Sequence, residues 1–131
     1  MRIIALVATA LLALTGCTGE SSDYTLTVTI GTSVWGPLDE PRPEPVEHVF
    51  ENVASGQSLD ITGGIGPDEA IVKGVTEDGI TLELSEPLTT SSDPYERADY
   101  VEEIELRLGE TKAFDTPTLD TVSRYEFRLS T

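Results

Sequence analysis

Side chains capable of covalent or metal chemistry are scarce in this chain. Its 131 residues include one cysteine, Cys17, and one histidine, His48, alongside 24 carboxylates. Structural zinc sites take four ligands, mostly cysteine and histidine, so the usual zinc sites are excluded. Nucleophilic catalysis needs an activated nucleophile beside a base. The sequence contains no glycine-flanked serine of the nucleophile-elbow type. Cys17 is therefore the residue most suited to covalent chemistry in this sequence.

Cys17 follows a segment with the three parts of a secretory signal. Arg2 and the amino terminus supply positive charge, residues 3–14 are uncharged and almost entirely apolar, and two small residues, Thr15 and Gly16, precede the cysteine. This order is typical of a signal peptide. As a helix the apolar run would be about 18 Å long, whereas a bilayer core is about 30 Å thick. We therefore predict that residues 1–16 form a cleaved signal and not a lasting membrane span.

The stretch Leu14-Thr15-Gly16-Cys17 resembles the lipobox of bacterial lipoproteins, in which an aliphatic residue and two small residues precede a modified cysteine. The resemblance covers residues 1–17 only. It implies that a diacylglycerol is attached to the Cys17 sulfur and that a signal peptidase cuts immediately before Cys17. The alternatives are an ordinary secretory signal with an unrelated cysteine, or an amino-terminal helix that is buried in the fold.

A lipid on Cys17 would anchor the protein to a bilayer. Each buried methylene contributes about 0.8 kcal/mol, so one acyl chain gives only marginal attachment, whereas two or three chains such as palmitate hold durably. The implied location is extracytoplasmic. In a Gram-negative cell it would be the outer membrane, because Thr18 stands where inner-membrane lipoproteins tend to carry aspartate; in a Gram-positive cell it would be the outer face of the cytoplasmic membrane. Modification also consumes the only thiol, so no intrachain disulfide is expected.

The remaining chain is strongly acidic and is the size of one domain. Loss of residues 1–16 removes Arg2 and changes the formal net charge from −16 to −17. Such a surface repels nucleic-acid phosphates and anionic lipid headgroups, so nucleic-acid binding is not expected. We interpret the negative charge as a means of keeping the domain soluble and away from its own membrane. The alternatives are cation binding, a basic partner or adaptation to high salt. Residues 17–23 are predicted to be the lipidated cysteine and a flexible tether.

Residues 24–131 are predicted to form a single all-β domain. In residues 24–30 apolar side chains alternate with threonines, the pattern of a half-buried strand. Asp78-Gly79 between two β-rich runs predicts a hairpin, and Ser55-Gly56 predicts a turn between two short strands. The other expected strands are residues 46–53, 58–61, 70–75, 80–84, 101–108, 111–114 and 122–130. About seven or eight short antiparallel strands predict a small β-sandwich, with an immunoglobulin-like architecture as one form of it, or an open barrel.

One segment fits two interpretations. Asp93-Pro94-Tyr95-Glu96 has the cap and proline of a helix start, whereas the residues that follow alternate as in a strand. We predict at most one short helix, at residues 94–99, leading into a strand at 101–108. The charged residues of 124–128 are expected to pair across strands with those of 103–107.

Trp35 is the candidate ligand contact. It lies in the proline-rich loop 31–45, and exposed aromatic side chains are favoured anchors for partners and flat ligands. The alternative is that Trp35 packs against one end of the sandwich.

The other polar candidates are expected to be structural or solvated. His48 shares a strand face with Val46 and Phe50, which favours a structural role over a catalytic base. No loop has the EF-hand pattern of calcium ligands, so no metal and no other cofactor is expected, with a weak calcium site as the alternative. The loop carboxylates concerned are Asp68-Glu69, Asp93, Asp115 and Asp120.

These observations predict a binding or interaction module at the cell envelope, attached to the lipid bilayer through Cys17 and recognising an envelope protein or glycan. The first alternative is a structural or assembly subunit of an envelope complex whose acidic surface meets a basic partner. The second is a small hydrolase that uses paired carboxylates. Enzymatic activity is not expected, because the sequence shows no catalytic constellation.

Overall fold

Eight antiparallel strands make up the domain. The computed structural model describes residues 21–34, 44–90, 99–118 and 121–131. The strands are β1 (Thr25–Val34), β2 (Val46–Phe50), β3 (Ser58–Asp60), β4 (Glu69–Val75), β5 (Gly79–Thr89), β6 (Tyr100–Arg107), β7 (Thr111–Asp115) and β8 (Thr121–Ser130). The described ranges contain no helix, and hence none long and apolar enough to cross a membrane. The predicted all-β fold of about eight strands, a sandwich or open barrel, is confirmed.

Three predictions concern residues outside the ranges that the structure describes. The lipobox-like stretch at 14–17, Trp35 and positions 94–98 of the predicted helix lie outside the described residues.

The strands form one sheet that folds over on itself. Its order is β2-β1-β8-β7-β5-β4-β3, with β6 paired to β5. The first half of β5 lies between β4 and β6. The far end of β5 leaves β4 and pairs instead with β7, at Thr89 and Asp115. Strand β5 therefore joins the two layers, which enclose the core.

Strand β5 (Gly79–Thr89) extends beyond the predicted strand at 80–84 and runs through Pro87. Its pairing with β6 is interrupted between Glu83 and Leu88 and then resumes. Proline has no N–H to donate, so inside a sheet it is tolerated at an edge or a bulge. Here the irregularity contains Pro87, and the strand continues to Thr89 with new neighbours.

Alternation along the strands builds the core. Leu26, Val28 and Ile30 are fully buried on the inner face of β1, as the period-two pattern predicts. The inner residues of the central strand β8, Tyr125, Phe127 and Leu129, are also fully buried. Several core residues of the other layer complete the interior: Leu59, Ile61, Ala70, Val72, Ile80, Leu82, Leu88, Ile104 and Leu106.

The predicted turn at Ser55-Gly56 lies between β2 and β3, and these strands pair with β1 and β4 respectively. One predicted pairing is wrong. The charged residues of β8 do not face those of β6, because β8 lies between β1 and β7 while β6 pairs with β5. Arg124 of β8 instead lies 3.3 Å from Asp115 of β7. Alternation identifies a strand, whereas its neighbour is chosen by long-range packing.

Candidate binding surface

The antiparallel strands sort the connecting segments into two ends of the domain. End A contains Ser21 and residues 51–57, 76–78 and 108–110; end B contains residues 61–68, 90, 99 and 116–118. At end A the hydroxyl of Tyr24 lies 2.7 Å from the Thr76 carbonyl and 2.6 Å from the Glu77 carbonyl. This contact ties the start of β1 to the β4–β5 turn, so the two layers share the same end A.

At end B, the glycine-rich segment after β3 is attached to buried hydroxyl groups. The Ile65 N–H donates to Ser123 Oγ over 3.1 Å, and the Gly66 N–H donates to Tyr125 Oη over 3.1 Å. Ser123 Oγ also lies 2.9 Å from Thr32 Oγ1 on the adjacent strand. The glycine-rich segment is thus hydrogen-bonded to β8.

Close approach explains the glycines of this segment. A Cβ on Gly64 would lie 2.6 Å from Tyr125 Oη and 2.8 Å from Ile30 Cγ2. At Gly63 the backbone φ is +148°, and a Cβ would lie 2.9 Å from Val46 Cγ1. Such φ values are accessible essentially to glycine. The segment therefore packs its backbone inward and leaves the Ile65 side chain half exposed.

Burial raises the pKa of the Tyr125 phenol above its ordinary value of 10.0, a shift that the hydrogen bond from Gly66 opposes. A raised folded-state pKa means that the neutral phenol stabilises the fold below about pH 10. This contribution is lost as the pH rises above that value.

Replacing Tyr125 by phenylalanine removes the acceptor of the Gly66 N–H. We expect a loss of about 1–3 kcal/mol in the free energy of unfolding at neutral pH. The gap between the two proteins should narrow above about pH 10, because only the wild type loses the contribution of this phenol. Urea unfolding at several pH values measures both effects. Tyr100→Phe, at an exposed tyrosine, is the matched control; an equal loss from both changes would contradict the role assigned to Tyr125.

The sole histidine connects the two edge strands of the sheet, β2 and β3. His48 Nε2 on β2 donates to the Thr62 carbonyl, just after β3, over 2.6 Å, and the ring stacks on Phe50 at a centroid distance of 6.1 Å. Asp60 accepts hydrogen bonds from the hydroxyl and the N–H of Thr62, and these bonds lower the pKa of the Asp60 carboxyl. These contacts bring the edges β2 and β3 together and leave the fold nearly closed.

The described loop carboxylates considered as calcium ligands are engaged by other side chains. Asp115 pairs with Arg124, Asp68 accepts from Ser85 Oγ over 3.3 Å, and Glu69 accepts from Ser58 Oγ over 2.7 Å. Within the described ranges no three histidine, cysteine or acidic side chains come together as a metal site. The other two candidates, at positions 93 and 120, are outside those ranges.

End B presents two exposed large apolar or aromatic side chains. Ile65 is 48% exposed and Tyr100, the first residue of β6, is 72% exposed. Strand β1 also ends here. The sequence reasoning did not single out Ile65 or Tyr100. Ile65 could have been noticed in the sequence, because it is a large apolar residue between two glycines, Gly64 and Gly66, in a turn-like segment where exposure is expected.

Negative charge dominates the surface of the described domain. The ion pairs found within these ranges are Lys73–Glu83 at 3.0 Å, Lys112–Glu110 at 3.7 Å and Arg124–Asp115 at 3.3 Å. The hydrogen bond to Glu83 raises the pKa of Lys73. Glu83 itself lies directly opposite Glu103 on β6, an unfavourable like-charge pair. Exposed ion pairs contribute little stability. The excess negative charge therefore bears on how the protein interacts with its environment more than on the stability of the fold.

No known protein family model matches the chain, and neither the curated proteins nor the solved structures contain a match. A functional assignment therefore depends on the residues and geometry described above.

Proposed function

We propose that this chain is a membrane-anchored extracytoplasmic lipoprotein whose acidic β domain is a binding or interaction module at the cell envelope. The observation that carries the proposal is the position of Cys17. It ends a lipobox-like stretch and stands four positions before Ser21, which already pairs with Ala54 of the domain. An acylated Cys17 would therefore hold the folded domain directly at a bilayer.

End B supports the binding role. Ile65 and Tyr100 are exposed there on a hydrogen-bonded scaffold, and aromatic side chains on rigid elements lose little entropy when they bind. The partner class is an envelope protein or glycan. Trp35 remains a candidate ligand contact.

The acidic surface supports a second candidate function, a structural or assembly subunit that meets a basic partner. Glu83 and Glu103 face each other on the outer side of the sheet, and a basic partner would relieve their repulsion. No specific observation among the described residues favours a carboxylate-dependent hydrolase.

Substitution at end B tests the binding role. The full-length protein, pulled down from detergent-solubilised envelope without crosslinking and washed at high salt to remove pure charge attraction, should retain an envelope component. The double change Ile65→Ala and Tyr100→Ala should reduce the yield of that component by about tenfold, equivalent to about 1.4 kcal/mol.

The matched control uses exposed apolar residues away from end B. Val49 and Leu108 are 54% and 43% exposed, and replacing both by alanine should leave the yield unchanged. Equal yields from the two double variants would contradict binding through end B. Complete loss at high salt would favour the charge-based assembly role instead.

A further inference from the structure

The attachment of Ser21 and Ser22 determines how the domain meets a membrane. Ser21 pairs with Ala54, the Ser22 N–H donates to the Val53 carbonyl over 3.1 Å, and Ser22 Oγ donates to the same carbonyl over 2.7 Å. The Asn52 side chain in turn donates to the Ser22 carbonyl over 3.1 Å. The chain is therefore bound to end A from Ser21 onward, and the predicted tether of 18–23 loses half of its length.

The remaining spacer is too short to reorient the domain. From Cys17 to Ser21 there are four residue steps, which span at most about 14 Å. Strand β1, with ten residues, is about 30 Å long. A lipid on Cys17 would consequently keep end A within about half a strand length of the bilayer, and the domain would be unable to invert.

Among the described residues, the sides of the domain present mainly charged side chains. The outer face of β6 carries Glu103 and Glu105, and the outer face of β8 carries Arg124, Glu126 and Arg128, all exposed. Val49 on β2 is an isolated exposed apolar side chain, and the other exposed large hydrophobic side chains are dispersed over different elements. Membrane binding by a protein surface requires buried apolar area, so a side-lying orientation gains little from lipid.

We infer that the domain stands on the bilayer with end A facing the lipid and end B facing away. This inference rests on the proposed lipid attachment at Cys17 and adds the direction of presentation. End B, with Ile65 and Tyr100, is then the surface available to a partner outside the membrane.

Two single-cysteine variants measure the orientation. Glu77→Cys places a label at end A and Asp99→Cys places one at end B; both positions are exposed and acidic, so the charge change is the same. Each full-length protein, carrying its native Cys17 lipid, is labelled with a fluorescent donor and reconstituted into phosphatidylcholine vesicles that contain a headgroup-labelled acceptor. Energy transfer should be several-fold stronger from position 77, since the two ends are separated by about 30 Å.

The outcomes separate the orientation from the anchor. Equal transfer from the two positions, or stronger transfer from position 99, overturns the orientation while leaving the anchor intact. Absence of transfer from both positions overturns the anchor, and the orientation with it. The same labels on proteins that carry Cys17→Ala and an ordinary cleavable signal in place of residues 1–16 give the background, which should be the same at both positions.

Discussion

Replacing Cys17 by alanine should release the protein from membranes. The sulfur of Cys17 is the proposed attachment atom for the diacylglycerol, and each buried methylene of its chains contributes about 0.8 kcal/mol to membrane binding. We expect the ratio of membrane-bound to soluble protein to fall by at least about tenfold. Fractionation of cells, followed by a mass measurement on the membrane-extracted wild type, tests the idea; the wild type should begin at Cys17 and carry the acyl mass.

A second variant is needed because the Cys17→Ala protein can keep its signal residues. In a Cys17→Ala protein the apolar residues 3–14 can persist, although they are shorter than a bilayer core. A protein with an ordinary cleavable signal in place of residues 1–16, together with Cys17→Ala, has neither lipid nor apolar segment. Thr18→Ala in the native chain is the control that should stay attached. Membrane attachment of the second variant, or a free thiol on the mature wild type, would refute the lipoprotein proposal.

Replacing Gly79 by alanine should destabilise the domain by about 3 kcal/mol. A Cβ at this position would lie 2.1 Å from the Leu106 carbonyl oxygen and 2.9 Å from the Arg107 Cα. Both atoms belong to the backbone of β6, so no side-chain rotation relieves the clash. The strands must separate where the Leu108 N–H donates to the Asp78 carbonyl over 2.8 Å. Urea unfolding should show the loss as a lower midpoint.

Gly74 provides the matched control for Gly79. It lies on β4, next to β5, and a Cβ there meets nothing within 4 Å. Its backbone is outside the left-handed region, so alanine should change stability by less than about 1 kcal/mol, with stabilisation the expected direction. Similar losses from Gly79→Ala and Gly74→Ala would show that the close approach to β6 is not the cause.

The Tyr125 and Gly79 contacts show how little of the packing at the two ends of the domain could be predicted from the sequence. Asp78-Gly79 predicts a hairpin because a turn depends on a few adjacent residues. That Gly79 also lies against the backbone of β6, more than twenty residues away in sequence, has no local signature. Likewise Tyr125 is recognisable as an inward residue of a strand, but its hydrogen bond to Gly66 joins residues 59 positions apart.

The sequence by itself determined the strands and their buried faces, as the alternation in residues 24–30 and 122–130 shows, because the side-chain period of a strand is a local property. The prediction of a lipid anchor likewise depends on residues 1–17 alone.

Only the tertiary structure decided which strands are neighbours, how β5 passes Pro87, and that Ile65 and Tyr100 share the end of the domain opposite Ser21. The physical reason is that pairing and packing bring together groups far apart in the chain, and their energies depend on the whole core. The proposed direction in which the domain faces the membrane likewise rests on the binding of Ser21 and Ser22 at end A.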